Sequence, residues 1–254
     1  NRFLNTRCYW GDAGLLFALP CHGDNRPRIY KDNIVPHAVN ADAPALSVAL
    51  SVHNADAYLA IAIESILAQS MPAFEFLILN DGSTDRSNEI IDGYAARDSR
   101  IRAIHRENKG LIVSLNQLVA EAKAPLIARM DADDIALPDR FAKQLTFMAA
   151  HPDYGVVGTW TRDIDANGNA YPLGGADHPT SHEDFITHIE QGPLICHPSV
   201  IMRADVVRAV GGYHAAFKHC EDYDLWLRLS SVTKICSIPE RLILYRHTDG
   251  QVSN

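Results

Sequence analysis

The chain has 254 residues, of which 47% are hydrophobic, and this is enough for one large α/β domain with a full core. Its formal net charge of −8 argues against nucleic-acid binding, which needs a basic surface. The five cysteines are odd in number and form no C-x-x-C, which disfavours a disulfide framework and indicates a reducing compartment.

The first 43 residues show no sustained hydrophobic period and are interrupted by prolines and glycines. We expect an irregular N-terminal extension over residues 1–43, followed by one domain over residues 44–254. The apolar run at residues 13–20 is too short to span a membrane, and no basic region precedes it. The sequence therefore predicts no transmembrane segment.

From Pro44 onward, short apolar runs alternate with segments of helical periodicity. We predict strands at residues 46–52, 74–79, 101–104 and 126–130, and helices at residues 58–69, 83–97 and 111–122, with another helix whose first turn starts at Pro138. Ser83 or Thr84 is expected to cap the second helix. Continuous apolar strands between amphipathic helices predict a Rossmann-type, mostly parallel sheet flanked by helices.

The second half of the domain has a less regular pattern. We predict strands at residues 155–160, 200–202 and 242–245, and helices at residues 181–190 and 222–229. The segment Ala166-Asn167-Gly168-Asn169 is typical of a hairpin turn.

Polar loops follow three of the predicted strands, after Val52, Leu79 and Met130. Ligands of parallel α/β sheets bind at the carboxyl ends of the strands, so these loops are where a functional site is expected. Asp131 and Asp133 come directly after the fourth strand, and alternation along an extended segment sends both carboxylates to the same side. Close carboxylates repel unless a divalent cation such as Mg²⁺ or Mn²⁺ neutralises them, although a solvated acidic turn would show the same residues.

Two further clusters carry acidic side chains. In the turn from Asn80 to Asp85, Gly82 permits a backbone conformation that other residues resist, and Asp81 can accept hydrogen bonds from a base or ribose. Helix capping alone would also explain part of this turn. A further helix begins near Glu221 and has acidic residues in its first turn. The helix macrodipole alone would favour acids at this position. The functional alternative is that one of these carboxylates is a general base near the metal.

Six motifs occur in order along the chain. They are Ser47-Val48-Ala49-Leu50-Ser51-Val52-His53-Asn54, Asn80-Asp81-Gly82-Ser83-Thr84-Asp85, Asp131-Ala132-Asp133-Asp134 with Pro138-Asp139-Arg140, His197-Pro198-Ser199-Val200, Val210-Gly211-Gly212-Tyr213 and Glu221-Asp222-Tyr223-Asp224-Leu225-Trp226-Leu227-Arg228. Together they resemble family-2 glycosyltransferases of the GT-A fold over residues 44–250. The resemblance implies a nucleotide-binding half at residues 44–150 and an acceptor half at residues 151–254.

The resemblance also implies an activity. It is that of an inverting, metal-dependent glycosyltransferase that moves a single sugar from a nucleotide-sugar donor, expected to be a UDP-sugar, to a hydroxyl of a glycan or lipid-linked saccharide. The Q-x-x-R-W motif of processive members is absent, which fits transfer of one sugar at a time. We expect a cytoplasmic location, with peripheral contact to the inner face of the membrane where the acceptor is lipid-linked.

The resemblance places the donor nucleotide at the first two loops. Ser51, His53 and Asn54 would line the pocket of uracil or another base, and Asp81 would contact the base. Two positions depart from the family pattern. His53 stands where an aromatic Tyr is common, and Asn80 replaces a frequent Asp, which lowers the charge of the turn without removing Asp81.

The resemblance places the reaction at the acidic clusters. Asp131 would lie by the ribose and donor sugar, Asp133 would ligate Mn²⁺ or Mg²⁺, and Asp222 would be the catalytic base. His247 is a further candidate for metal or diphosphate contact. Lys109 can meet a phosphate, although a solvated loop lysine is the alternative.

Two other functions are open to a chain with this pattern. A sugar-phosphate nucleotidyltransferase needs a Gly-rich, basic loop after the first strand, and residues 53–56 have neither feature. A catalytically inactive nucleotide-sugar binding module would lose the base or the metal carboxylates, whereas all of them are present here.

Overall fold

The computed structural model of the protein describes residues 44–248, so the expected extension at residues 1–43 lies outside the described part. The strands are β1 (Leu46–Val52), β2 (Phe74–Asp81), β3 (Ile101–Arg106), β4 (Leu126–Met130), β5 (Ile135–Ala136), β6 (Tyr154–Ile164), β7 (Ile201–Arg203) and β8 (Lys234–Arg246). The helices are α1 (Leu59–Leu67), α2 (Ser87–Ala95), α3 (Leu111–Glu121), α4 (Arg140–Ala150), α5 (His182–His188), α6 (Ala204–Ala209) and α7 (Glu221–Ser230). Within residues 44–248, no helix is both long and apolar enough to cross a membrane.

The eight strands form one mixed sheet in the order β3-β2-β1-β4-β7-β6-β8-β5. Strands β1 to β4 run parallel to one another, as the strand–helix alternation predicts. The alternation that gives long crossovers stops after α4, and β7 then pairs antiparallel with both β4 and β6. The predicted Rossmann-type sheet flanked by helices is therefore present, with antiparallel contacts added in its second half.

Alternate residues of the central strands enter two hydrophobic layers on opposite faces of the sheet. Val48 and Leu50 of β1 pack in one layer with Ile63 of α1. Ala49 of β1 packs in the other layer with Leu115 of α3. Burial on both faces explains why these strands read as continuous apolar runs rather than as alternating ones.

Two helices, α2 and α4, begin later in the chain than predicted. Helix α2 begins at Ser87 rather than after Ser83 or Thr84. The Ser83 hydroxyl instead donates to Asn80 Oδ1 at 2.6 Å and accepts from Asn54 N at 2.9 Å, so it serves the turn and the neighbouring loop. Helix α4 begins at Arg140, two residues after Pro138, so the prediction that its first turn starts at Pro138 was wrong.

Strand β5 and helix α6 were missed, and strand β8 was cut short. Strand β5 has two residues and α6 has six, which is too short for a clear period. Strand β8 spans 13 residues instead of the predicted 242–245. Its pairing with β6 contains register shifts, and Pro239 lies within it, so the sequence shows no regular alternation there.

The predicted hairpin turn and the last helix are confirmed. Asp165 N donates to Asn169 O at 2.9 Å, Gly168 has a φ of +86°, and Ile164 and Ala170 form an antiparallel bridge. In α7, Leu225, Trp226 and Leu229 are fully buried. These side chains belong to the same hydrophobic layer as Ala49 of β1, so α7 packs on that face of the sheet. The boundary between the two halves of the domain stays a prediction.

Candidate active site

The three predicted loops meet at one edge of the sheet. Val52 of β1 pairs with Asn80 of β2, and Leu50 of β1 pairs with Met130 of β4. Because these strands are parallel and adjacent, their carboxyl ends lie side by side. The loops that follow them therefore share the edge at which Asp131 stands.

Three aspartates cluster directly after β4. One carboxylate oxygen from each of Asp131, Asp133 and Asp134 lies within 4.8 Å of the others. Asp134, which sequence reasoning did not assign to the site, is 1% exposed and accepts a hydrogen bond from Arg246 N at 2.9 Å. Its second oxygen, Oδ2, is buried without a hydrogen-bond partner in the described part of the chain.

Electrostatics at the cluster favour a cation. Burial raises the pKa of Asp134 well above its usual value, and the charges of Asp131 and Asp133 raise it further. An all-carboxylate set of ligands with one orphaned buried oxygen suits a hard divalent ion such as Mg²⁺ or Mn²⁺. The residues present therefore fit the cation that the sequence predicts.

A buried arginine lies behind the cluster. Arg129, on β4, is 5% exposed and forms an ion pair with Asp131. Burial alone would lower the pKa of Arg129, but the charge of Asp131 raises it overall, so the guanidinium stays charged. Sequence reasoning missed Arg129, although a charged residue inside an otherwise apolar strand is the signal that could have identified it.

Asp81 faces into the protein. Its side chain is buried at 2% exposure, and Oδ1 accepts from Arg106 Nε and from Lys109 N, both at 2.9 Å. Oδ2 accepts from Gly110 N at 2.7 Å, at the start of α3. Asp81 therefore holds the loop that leads into α3, while the Lys109 side chain is exposed. The base contact of Asp81 and the phosphate contact of Lys109 stay predictions.

The first loop presents polar groups beside Asp81. His53 is exposed, and its Nδ1 lies 3.0 Å from Asp81 O. Asn54 is also exposed, has a φ of +49°, and accepts a hydrogen bond from Thr84 N at 2.8 Å. Ser51 is half-buried near the end of β1. The structure thus brings the three residues to the predicted edge, and their contact with a nucleotide stays a prediction.

Asp222 lies in the first turn of α7, half-buried, and Oδ1 accepts from Tyr223 N at 2.7 Å. Burial raises the pKa of Asp222 to about 6, and the charge of Glu221 adds to the rise. The pKa of Tyr213 is raised mainly by burial, and both Asp222 and Asp131 raise it further. The charges of Asp222 and Asp131 therefore both act on the same buried phenol.

His247 contacts residues other than the three aspartates. Its Nε2 lies 3.3 Å from Asp163 Oδ1, and its ring meets the rings of Tyr245 and Tyr171 at 5.2 and 6.0 Å. Among residues 44–248, the group of possible metal ligands contains the three aspartates and not His247. Its role toward metal or diphosphate stays a prediction.

Comparison with known proteins finds relatives of this chain both by sequence and by structure. The O-antigen biosynthesis glycosyltransferase WbnJ of Escherichia coli is 35% identical over 190 residues, which cover 72% of this chain and 71% of WbnJ. Such matches span about two thirds of the relatives' length, 66 to 71%.

Two solved structures share the fold. S. aureus TarS 1-349 in complex with UDP-GlcNAc has a TM-score of 0.68 at 16% identity, over 82% of this chain and 60% of that one. The mannosyltransferase PcManGT of Pyrobaculum calidifontis, in complex with GDP-Man and Mn²⁺, has a TM-score of 0.65 at 16% identity, over 83% and 59%. These likenesses confirm the GT-A fold.

The family model described as "Glycosyl transferase family 2" matches residues 47–211, which include the three polar loops, the His197 motif and the first two residues of the motif at 210–213. This match covers more than half of the chain. The chain therefore belongs to glycosyl transferase family 2.

Proposed function

We propose that this glycosyltransferase is an inverting enzyme that uses Mn²⁺ or Mg²⁺ and transfers one sugar from a nucleotide-sugar donor, a UDP-sugar, to an acceptor hydroxyl. The observation that carries the proposal is the cluster of Asp131, Asp133 and Asp134, which directly follows β4. The nucleotide sugars bound to TarS and PcManGT, and the Mn²⁺ bound to PcManGT, support the donor class and the metal.

Asp133 is proposed as the principal metal ligand. One of its carboxylate oxygens lies within 4.8 Å of an oxygen of Asp131 and of Asp134, so a cation bound by Asp133 would also meet their charges. When bound, the cation would supply positive charge for the donor diphosphate. His247, which pairs with Asp163, is proposed as an additional contact for metal or diphosphate.

Asp222 is proposed as the general base. It takes the proton from the acceptor hydroxyl, whose oxygen attacks the anomeric carbon from the face opposite the nucleotide. The bond between the anomeric carbon and the diphosphate oxygen breaks, the nucleoside diphosphate leaves, and the configuration is inverted. A pKa of about 6 leaves the carboxylate ionised at neutral pH and makes it more basic than an ordinary aspartate. Leu225 and Trp226 are fully buried, which fixes α7 and holds Asp222 in place.

The donor nucleotide is proposed to lie along the carboxyl ends of β1 and β2. Ser51, His53 and Asn54 are proposed to line the pocket of the base. Asp81 supports this pocket, because its backbone oxygen contacts His53 and its carboxylate binds the loop before α3. Asp131 is proposed to face the ribose and donor sugar. The exposed ammonium of Lys109 stands on the same loop and is proposed to meet a phosphate.

The acceptor is proposed to be a glycan or a lipid-linked saccharide. WbnJ is named for O-antigen biosynthesis, and this supports a saccharide acceptor for the present chain. A cytoplasmic enzyme with peripheral contact to the inner membrane face would reach such a lipid-linked acceptor.

Release of nucleoside diphosphate from a panel of UDP- and GDP-sugars, measured with Mn²⁺ and with EDTA, tests this function. We expect metal-dependent release by the wild type. Asp222→Asn should lose at least 100-fold in turnover with donor binding retained, and Asp133→Ala should lose Mn²⁺-dependent donor binding. The matched control is Asp177→Asn, since the Asp177 side chain is 60% exposed in an ion pair with Arg241.

The outcomes separate the alternatives. Release of pyrophosphate from a sugar phosphate and a nucleoside triphosphate would identify a nucleotidyltransferase instead. Donor binding without turnover for any acceptor would indicate a binding module. Near-normal turnover of Asp222→Asn would remove Asp222 from the role of base, and the anomeric configuration of the product, read by NMR, tests inversion.

A further inference from the structure

Arg246, the last residue of β8, contacts the acidic loop with both its backbone and its side chain. Its Nε donates to the carbonyl oxygen of Asp133 at 2.7 Å. Its backbone N donates to Asp134 Oδ1 at 2.9 Å. One residue, 112 positions away from Asp134, thus holds both the peptide that joins Asp133 to Asp134 and the side chain of Asp134.

The same guanidinium reaches two other segments. Nη1 donates to the carbonyl oxygens of Asp165 and Ala166, at 3.0 and 3.1 Å, in the hairpin turn after β6. The guanidinium carbon also lies 4.5 Å from the centre of the Tyr58 ring, just before α1. Arg246 is only 2% exposed, so these contacts form inside the protein.

The geometry of arginine explains why this residue suits the position. A guanidinium is a flat fork that donates in several fixed directions and stacks on aromatic rings, whereas a lysine ammonium is a point charge on a flexible stem. Nε of Arg246 donates to Asp133, Nη1 donates to the hairpin turn, and the flat face of the guanidinium lies over the Tyr58 ring. A lysine would keep the charge but lose the simultaneous contacts.

We propose that Arg246 is a positioning residue that fixes the Asp133–Asp134 peptide so that both carboxylates face a divalent cation together with Asp131. The inference rests on the cation of the proposed function and adds the residue that orients its ligands. Arg246 donates to the carbonyl oxygen of Asp133 through its side chain and to a carboxylate oxygen of Asp134 through its backbone. Groups that orient metal ligands in this way affect metal affinity by about 10- to 100-fold.

Direct Mn²⁺ binding to the full chain without nucleotide, followed by electron paramagnetic resonance of free Mn²⁺, tests the proposal. We expect Arg246→Lys to raise the Kd for Mn²⁺ at least tenfold. The matched control is Arg241→Lys on the same strand, where the arginine stacks 5.2 Å from the centre of the Trp160 ring and pairs with Asp177. The control should change the Kd by less than about twofold.

A second readout separates positioning from general stability. The unfolding midpoint of each variant is measured in EDTA, where metal affinity has no influence. Should Arg246→Lys fail to fold, Tyr58→Leu removes only the ring beside the guanidinium and is expected to raise the Kd by about two- to fivefold.

Each result has a defined meaning. Mn²⁺ binding by the wild type and an unchanged Kd in folded Arg246→Lys, or in Tyr58→Leu when that variant replaces it, would overturn this inference and leave the proposed function standing. Failure of the wild type to bind Mn²⁺ would overturn the metal part of the proposed function together with this inference. A raised Kd with a normal midpoint in EDTA supports it.

Discussion

Asn116 on α3 holds the backbone of Tyr213 with two hydrogen bonds: Tyr213 N donates to Asn116 Oδ1 at 2.8 Å, and Asn116 Nδ2 donates to Tyr213 O at 2.7 Å. The Tyr213 hydroxyl is bonded to His197 Nε2 at 2.7 Å, and the His197 ring meets Trp226 of α7 edge-on at 5.8 Å. One amide thus ties α3 to the helix that carries Asp222.

Asn116→Ala should therefore destabilise the protein by about 2 kcal/mol, since it removes two hydrogen bonds and leaves two backbone groups of Tyr213 without these partners. Urea denaturation measures the change. Val113→Ala on the same helix is the control, because Val113 is 43% exposed and its truncation should cost about 0.5 kcal/mol or less. Equal effects of the two variants would contradict a special role for the Asn116 contact.

The decrease of kcat/KM at acid pH, the acid limb of the pH–rate profile, should follow the protonation of Asp222. A general base must be ionised, and the pKa of Asp222 is about 6, so kcat/KM should fall about tenfold per pH unit below that value. Because the charge of Glu221 raises this pKa, Glu221→Gln should move the limb to lower pH. Steady-state rates from pH 4.5 to 8 test this, and a limb that does not move in Glu221→Gln would argue against the assignment.

Asp222→Asn should make the protein more stable at pH 8. Burial raises the folded pKa of Asp222 to about 6 from 3.8, so its favourable contribution is present at low pH and is lost as pH rises through about 6. Two pKa units correspond to about 3 kcal/mol, which partial exposure reduces to about 1–2 kcal/mol. Urea unfolding in EDTA at pH 8 and at pH 4 measures the difference, and a gain that is equal at both pH values would exclude this cause.

Asp81→Asn should destabilise the protein by about 3 kcal/mol, since it breaks a buried ion pair with Arg106 and weakens the acceptors for Lys109 N and Gly110 N. Hydrogen exchange should become faster at those two amides. Asp92→Asn is the control, because the Asp92 side chain is 68% exposed in its pair with His105. Unchanged exchange at Gly110 in Asp81→Asn would contradict the bracing role of this carboxylate.

Much of the first half of the fold could be predicted because its signals are local. The apolar run at Leu46–Val52 and the helical period at Leu59–Leu67 each depend on neighbours within a few residues. The apolar run at Leu126–Met130 likewise predicted the fourth strand, and so the position of Asp131 and Asp133 directly after it. In β8, register shifts and Pro239 break the period, and the prediction there covered only the last residues of the strand.

The sequence by itself determined the family, the parallel half of the sheet and the acidic residues that follow β4 and begin α7. Only the tertiary structure decided which groups support them: Arg129 behind Asp131, Asp134 inside the cluster, and Arg246 on the Asp133–Asp134 peptide. The physical reason is separation along the chain. A contact between residues 112 positions apart is set by the order of strands in the sheet, which no local period encodes.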